Sequence, residues 1–447
     1  MKPDSLLYRA GSGARALRRG ALGLLLVLPV ALCVALPAQA QDKALKVGIV
    51  SFLSGAAAGT FGIPARNGAE VVIDAINSGK LPAPYNSKGI AGAQVEAVYI
   101  DESGSTTKQV EEYRNLVQRQ NVDAVVGYIS SGNCLAIAPV AEELKMLTVF
   151  NICGTPRIFE DAKYKYVFRT KSHSTMDNVA AARYILARMP DIKRFGAINQ
   201  NYAWGQDSWR DFKLTMELLK PKAEATTEQW PKLFAGQYSS EVSALLVSKS
   251  DIVHTSLWDG DLEAFVFQAN ARGLTKQSQL VMTTGENSMY RLGSRMPDGV
   301  IVGARGPYGL YARDTELNRW FRQAYQERYV TPPVYPSYMT AQAVLALKIG
   351  YDKAAAAKGG AKPTRDEVIK QMEGIEYEAF GTTIKMALGS GHQAITETAY
   401  GVSKFDKSTG EPTLVEIVRY PAQCVNPPEG VESVAWIKGG MKGAKCN

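Results

Sequence analysis

Short apolar runs rich in β-branched residues alternate with amphipathic stretches, and this alternation constrains the fold more than any other feature. The first block starts with the apolar run 45–53 and the helix-like stretch 62–77, and it reaches the apolar run 147–152. The pattern restarts after residue 170 and continues to the run 279–284. Strands that alternate with helices form parallel βαβ units with right-handed crossovers. We therefore predict an α/β protein with two Rossmann-like lobes, each built on a parallel central sheet.

Residues 1–40 have the pattern of a secretory signal peptide. Five basic residues and one acid precede an apolar run at 21–36, and a small-x-small site ends at Ala40. This order is typical of a leader that is removed after export, here after Ala40. Pro29 interrupts the run, which is shorter than the ~20 residues of a membrane span, although a retained anchor helix is the alternative. We expect an exported protein, and half of the formal net charge of +8 belongs to this leader.

Motifs of enzymes, metal sites and nucleic-acid binding are not found. Three widely separated histidines, His173, His254 and His392, have no neighbouring Cys or His that would complete a metal site or a catalytic pair. No phosphate loop, HExxH or GxSxG string is present. The remaining charge of +4 is spread without a basic stripe. We expect no cofactor, no metal and no enzymatic activity, with a secreted α/β hydrolase of unrecognised nucleophile as an alternative.

Four cysteines remain beyond the leader. An even number in an oxidising compartment permits disulfides, and four cysteines allow three connectivities. Cys424 and Cys446 bracket a tail rich in Pro and Gly, which a bridge would hold in place; a frayed tail with free thiols is the alternative. Cys134 and Cys153 lie near the ends of adjacent predicted strands and are a second candidate pair.

Several of the segments at and after the predicted strands resemble those of one family. The matching segments, in order along the chain, are 47–62, 67–77, 89–101, 122–133, 201–208, 251–274 and 391–406. The chain is similar to periplasmic substrate-binding proteins of ABC importers, of the branched-chain amino acid type. The resemblance covers nearly the whole mature chain. It implies a type I periplasmic binding protein fold, in which three crossings join two lobes that close over a ligand by a hinge motion.

The resemblance also implies a domain division and a function. The first lobe is expected to take residues 43–165 plus 300–378 and the second 166–299 plus 379–420, with 421–447 as a C-terminal tail. The expected function is to bind a small amino acid, aromatic acid, amide or related amphipathic carboxylate and deliver it, as a monomer, to an inner-membrane ABC permease. A ligand-sensing accessory protein of a signalling receptor is the alternative, since it would differ only in its docking surface.

Four residues of the first lobe match the family's positions around a ligand carboxylate. Ser131, together with Ser130, and Thr155 match hydroxyl positions, while Cys153 matches a small residue that contributes its backbone carbonyl. A serine at a helix start adds an O–H group to the N–H donors there, although an ordinary N-cap is the alternative.

Aromatic side chains from both lobes are expected to wall the pocket. Phe61 matches an aromatic residue that covers the ligand from the first lobe, and Tyr202 matches one that faces the cleft from the second. Trp258 follows a strand of the second lobe, and Tyr308 is a further candidate. Such walls accept aliphatic and aromatic ligands alike.

Two acids decide the expected ligand class. Glu286 resembles the acid that holds a ligand ammonium group, and Asp259 is placed to assist it. A carboxylate in a closed cleft needs a cationic partner, so an inward-facing Glu286 would favour an amino acid over a plain carboxylate. An acid at a helix N-terminus is the alternative for Glu286.

Overall fold

The structure of the protein is a computed structural model that describes residues 44–446. The predicted leader lies outside the described residues. The strands are β1 (Leu45–Ser51), β2 (Val95–Asp101), β3 (Ala124–Gly127), β4 (Thr148–Phe150), β5 (Val167–Arg169), β6 (Arg194–Ile198), β7 (Glu224–Gln229), β8 (Ile252–Thr255), β9 (Gln279–Met282), β10 (Ile301–Gly303), β11 (Glu376–Glu378), β12 (Thr383–Leu388), β13 (Gln393–Ile395), β14 (Thr398–Asp406) and β15 (Glu411–Tyr420).

Helices cover the faces of the sheets. They are α1 (Ile63–Ser78), α2 (Thr106–Gln118), α3 (Ser131–Glu143), α4 (Arg157–Glu160), α5 (Ser174–Arg188), α6 (Ala203–Leu219), α7 (Ser239–Ser248), α8 (Gly260–Ala271), α9 (Leu274–Gln277), α10 (Glu286–Leu292), α11 (Glu316–Tyr329), α12 (Tyr335–Ala357), α13 (Arg365–Met372), α14 (Ala422–Val425) and α15 (Ser433–Lys438).

The strands form two sheets, which define two lobes. The first sheet has the order β2-β1-β3-β4-β5-β13-β12-β11, and its strands from β2 to β13 run parallel. The second sheet has the order β7-β6-β8-β9-β10-β14-β15, and its strands from β7 to β10 run parallel. Both sheets end in antiparallel strands. The predicted α/β class with two lobes is therefore confirmed.

Local sequence explains the central strands and the first helix. In β1 every residue except Lys46 is buried, as expected for a central parallel strand covered on both faces. Helix α1 has a proline in its first turn, and Gly79 ends it in the left-handed conformation with φ 68°. Strand β7 is not predicted by the apolar pattern, because it is a half-exposed edge strand with the polar sequence EATTEQ.

The chain crosses between the sheets three times, after β5, between β10 and β11, and between β13 and β14. Sheet membership differs from the predicted lobe division at four strands: β5, β12 and β13 lie in the first sheet, and β10 lies in the second. An apolar run marks a buried strand but not the sheet that it joins. That choice depends on pairing between distant residues, such as Gln393 beside Arg169.

Two disulfides connect the four described cysteines, Cys134 to Cys153 and Cys424 to Cys446. The second one fastens the C-terminal tail, whose helices α14 and α15 pack on α5 and α6 of the second lobe. No helix within residues 44–446 is long and apolar enough to cross a membrane.

Candidate ligand-binding site

A small cavity lies between the two lobes, where strands of both sheets end. All eight lining residues follow strands, as expected for ligand sites of parallel sheets. The first lobe contributes Phe61, Ile129, Ser131 and Gly154, and the second contributes Tyr202, Trp204, Trp258 and Arg305. The cavity volume is about 10 Å³, the space of roughly one water molecule. The lobes must therefore move apart before any larger molecule enters.

Arg305 is the charged residue of this cavity. It follows β10, has a left-handed backbone with φ 54°, and is only 4% exposed. Its guanidinium carbon lies 4.0 Å from the ring centroid of Trp204, and its Nε lies 3.4 Å from Oδ2 of Asp177. Its Nη2 is buried and has no hydrogen-bond partner among the described residues. Burying an N–H group without an acceptor costs free energy. A hydrogen-bond acceptor at Nη2 of Arg305 would remove this cost.

Gly154 lies directly against that guanidinium. A β-carbon at residue 154 would collide with Nη2 of Arg305 and with the ring of Trp204, so the close approach depends on glycine. Ser131 fixes the same loop, because its Oγ accepts hydrogen bonds from the amides of Gly154 (3.1 Å) and Thr155 (3.2 Å). The loop after β4 and the start of α3 thus form the first-lobe wall opposite the arginine.

Glu102 holds the turn that leads into α3. Its carboxylate accepts hydrogen bonds from the amides of Ile129 (2.7 Å) and Ser130 (2.8 Å) and from the side chain of Asn133 (3.0 Å). Burial raises the pKa of Glu102 to about 7, against the effect of these donors. Glu102 does not line the cavity, but it fixes the turn at Ile129 and Ser130 that forms part of the cavity wall.

Aromatic rings form the rest of the wall. The ring of Trp258 lies 4.9 Å from that of Phe61, centroid to centroid, which joins the two lobes across the cavity. The indole N–H of Trp258 donates to the hydroxyl oxygen of Tyr202 (2.9 Å), and that of Trp204 donates to the carbonyl of Ser256 (2.9 Å). Because both indole N–H groups are occupied, the tryptophans present apolar ring surface to the cavity.

Polar contacts between the lobes flank the cavity on two sides. On one side, Asp207 of α6 accepts a hydrogen bond from the hydroxyl of Thr155 (2.6 Å) and forms an ion pair with Arg157 (2.8 Å). On the other side, Asp259 accepts from the amide of Thr60 (3.3 Å). Burial raises the pKa of Asp259 to about 6. These contacts close the lobes on each other.

The structure brings four of the ten predicted site residues together around the cavity: Phe61, Ser131, Tyr202 and Trp258. Three others surround it without lining it. Thr155 binds Asp207, Asp259 binds Thr60, and Ser130 is the N-cap residue of α3.

The remaining three predicted residues have other contacts. Glu286 lies outside the cavity lining, and its oxygens accept from the amides of Leu310 and Tyr335, both at 3.1 Å. Tyr308 accepts from the side chain of Gln342 (3.1 Å). Cys153 is bonded to Cys134. The expected carboxylate at the ligand's amino group is therefore not found at this cavity.

Ile129, Gly154, Trp204 and Arg305 line the cavity but are not among the predicted residues. Ile129 and Trp204 lie within the segments 122–133 and 201–208 that carry the resemblance, and Gly154 follows the predicted strand at 147–152. Arg305 was missed because residues from 300 onward are assigned to the first lobe by the resemblance, whereas β10 belongs to the second sheet. The general rule that sites follow parallel strands would have found it.

Comparison with known proteins gives one family. A family model described as "Periplasmic binding protein" matches residues 44–408. No curated protein matches the chain by sequence.

Solved structures share the fold at low identity. A solute-binding protein of an ABC transporter from Rhodopseudomonas palustris in complex with benzoate is 20% identical, with a TM-score of 0.72 over 87% of this chain and 100% of that chain. A second one, from R. palustris BisB5 in complex with 3,4-dihydroxybenzoic acid, is 19% identical, with a TM-score of 0.71 over 85% and 98%. A leucine-binding protein from Thermotoga maritima is 16% identical, with a TM-score of 0.68 over 84% and 99%.

Proposed function

The chain belongs to the periplasmic binding protein family, and on that premise we propose that it is the extracytoplasmic solute-binding component of an ABC transporter for a small organic carboxylate. The observation that carries the ligand class is the buried guanidinium of Arg305 at the cavity.

The charge of the cavity favours an anion. Arg305 has one carboxylate neighbour, Asp177, at the long distance of 3.4 Å, and its Nη2 is without an acceptor in the described part of the chain. A ligand carboxylate on Nη2 would make a charge-assisted hydrogen bond in a site of low dielectric constant. The hydroxyl of Ser131 is the neutral donor on the facing lobe.

The lining disfavours a ligand ammonium group. None of the eight residues that line the cavity is acidic, and Glu286 is bound to two backbone amides elsewhere. An amino acid would bury its ammonium group without a countercharge, which is costly. We therefore place a plain carboxylate ahead of the amino acid that an inward-facing Glu286 would have favoured.

The body of the ligand is expected to be apolar and compact. Phe61, Tyr202, Trp204 and Trp258 surround the cavity with ring faces and edges. Pairs of aromatic rings stabilise a complex beyond the effect of burying their apolar surface, so an aromatic ring on the ligand fits this wall. Two of the structural relatives hold benzoates, which have this chemistry.

The two lobes are expected to close on the ligand, because both contribute residues to the wall of the cavity. The ligand would contact Arg305 on one lobe and Ser131 on the other, so binding stabilises the closed arrangement. Export to the periplasm by a leader ending at Ala40 and delivery to a membrane permease by a monomer complete the proposal.

Thermal melts of the mature chain with benzoate, 4-hydroxybenzoate, aliphatic acids and leucine test the ligand class. A ligand at about 100 times its Kd should stabilise the fold by about 2.7 kcal/mol. Arg305→Gln should abolish the shift that a carboxylate produces. Arg319→Gln, which removes an exposed arginine paired with Asp314, is the matched control and should leave it intact. A carboxylate shift of equal size in Arg305→Gln would refute the proposed site.

A further inference from the structure

A second and larger cleft lies beside β5 and β13, the two strands after which the chain crosses from the first sheet to the second, and it shares no residue with the ligand cavity. We call it the hinge cleft; its volume is about 350 Å³. Its first wall belongs to the first lobe, from residues 156–169 and the β12–β13 turn. Its second wall is the tail segment 427–432, which leads into α15 on the second lobe. A molecule bound here would touch both lobes.

Arg169 lies at the base of the hinge cleft. It is fully buried, its Nε donates to Gln393 (2.5 Å), and its Nη1 donates to the carbonyls of Thr155 (2.6 Å) and Cys153 (3.2 Å). Its Nη2 is buried and has no partner among the described residues. All of its acceptors are neutral, so the positive charge has no directly bonded carboxylate. Burial and the charge of Arg305 lower the pKa of Arg169 to about 9.

Other donors line the same cleft. His173 is buried beside Arg169, and its Nδ1 has no partner in the described part of the chain. Burial and the charge of Arg169 lower the pKa of His173, so its ring is neutral and carries one N–H group. Lys163 lies exposed at the rim. These groups converge on one space from different elements.

Three acids also line the hinge cleft, and two are already bound. Glu160 accepts from the amide (3.0 Å) and hydroxyl (2.5 Å) of Ser433, and Glu429 accepts from the amide of Ser390 (2.8 Å). Glu432 is exposed. Both bound acids join the first lobe to the tail segment or to α15, which packs on the second lobe.

We propose that the hinge cleft is an accessory binding site for a small oxyanion, a carboxylate or a phosphate, held by Nη2 of Arg169 with His173 and Lys163. Arg169 also holds the carbonyls of Cys153 and Thr155, which flank Gly154 of the ligand cavity. An anion in the cleft therefore supports the wall of the main site and joins the two lobes. The oxyanion site stands without the proposed function, whereas its effect on lobe closure depends on it.

Calorimetric titration in the Arg305→Gln background tests the site, because that variant lacks the cation of the main cavity. The probes are acetate, benzoate and inorganic phosphate, each at constant ionic strength set with chloride. We expect saturable binding of at least one probe, and the probe that binds most tightly distinguishes a carboxylate from a phosphate site. Adding Arg169→Gln should weaken that binding about 10-fold or more, since a charge-assisted hydrogen bond is lost.

Lys163→Gln provides a second test, because an exposed side chain can be replaced without affecting folding. It should weaken binding several-fold, while Lys276→Gln, an exposed lysine of α9, should leave it unchanged. Absence of saturable binding by all three probes would overturn the proposal, as would saturable binding that neither Arg169→Gln nor Lys163→Gln weakens. If Arg169→Gln does not fold, Lys163→Gln against its control decides. These outcomes are independent of which ligand the main cavity binds.

Discussion

Arg305 combines a left-handed backbone, a buried guanidinium and a tryptophan face at 4.0 Å. A non-glycine residue in that backbone region costs roughly 1–3 kcal/mol and persists where the surroundings hold it, often at binding sites. Asp259, which flanks the cavity, has a similar φ of 53°. Both residues follow strands of the second sheet. Both residues with a strained backbone therefore lie in turns that shape the proposed site.

Gly154→Ala tests the close approach of Arg305 at the residue scale. The added methyl group would collide with Nη2 of Arg305 and the ring of Trp204, and should displace the arginine from its position. We expect carboxylate affinity to fall about 10-fold or more, as for a lost charge-assisted hydrogen bond. Gly132→Ala is the control, because a β-carbon there meets only Oγ of Ser130 at 3.7 Å. Equal affinities of the two variants in calorimetry would contradict this placement of Arg305.

The variant Glu286→Gln tests whether the carboxyl group of Glu286 contacts the ligand or has only a structural role. Burial raises the pKa of Glu286 from 4.5 to about 7, so the folded chain binds more protons than the unfolded chain between those values. The free energy of unfolding therefore falls as the pH rises through this window and is level above it. The variant should flatten this fall by up to about 1.4 kcal/mol per pH unit, with ligand affinity unchanged. Urea unfolding at pH 5, 6 and 7.5 measures the slope, and a large loss of affinity would return Glu286 to the site.

At the scale of elements, the predicted strands and helices match the structure closely, because apolar periodicity is a local property. Helix α1 is predicted at 62–77 and spans Ile63–Ser78. The prediction fails where sheet membership depends on distant partners, as for the three-residue strand β10. Because β10 was assigned to the first lobe, Arg305, which follows β10, was not predicted as a site residue. Four predicted residues line the cavity and lie in segments that resemble those of the family: Phe61, Ser131, Tyr202 and Trp258. The position of Glu286 could not be predicted in this way, because its carboxylate accepts a hydrogen bond from the amide of Tyr335 at the start of the distant helix α12.

Thr155→Val tests the contact between the loop after β4 and helix α6. The variant removes the hydroxyl that donates to Asp207 across the lobes, without changing a residue that lines the cavity. The closed arrangement should weaken, and ligand should dissociate about 10-fold faster with a smaller change in the association rate. Stopped-flow fluorescence measures both rates. Thr413→Val on β15 is the control, and an unchanged dissociation rate in Thr155→Val would show that this contact does not hold the lobes closed.

At the scale of the whole molecule, the two lobes are joined by three crossings and meet across a cavity too small for any solute in the closed arrangement. Opening about the crossings must separate Phe61 from Trp258 and Thr155 from Asp207. Ligand binding restores those contacts and adds its own, so it selects the closed state. In the proposed site, the ligand group that contacts Arg305 when the lobes close determines specificity.

The most direct test of this account compares an acid with its neutral amide. Calorimetric titration of residues 41–447 with benzoate and with benzamide holds the ring constant and changes only the charge that meets Arg305. We predict that benzoate binds at least about 10-fold more tightly than benzamide, and that Arg305→Gln removes the difference. Equal binding of acid and amide, or a preference for the acid that persists in Arg305→Gln, would contradict a carboxylate receptor organised around this arginine.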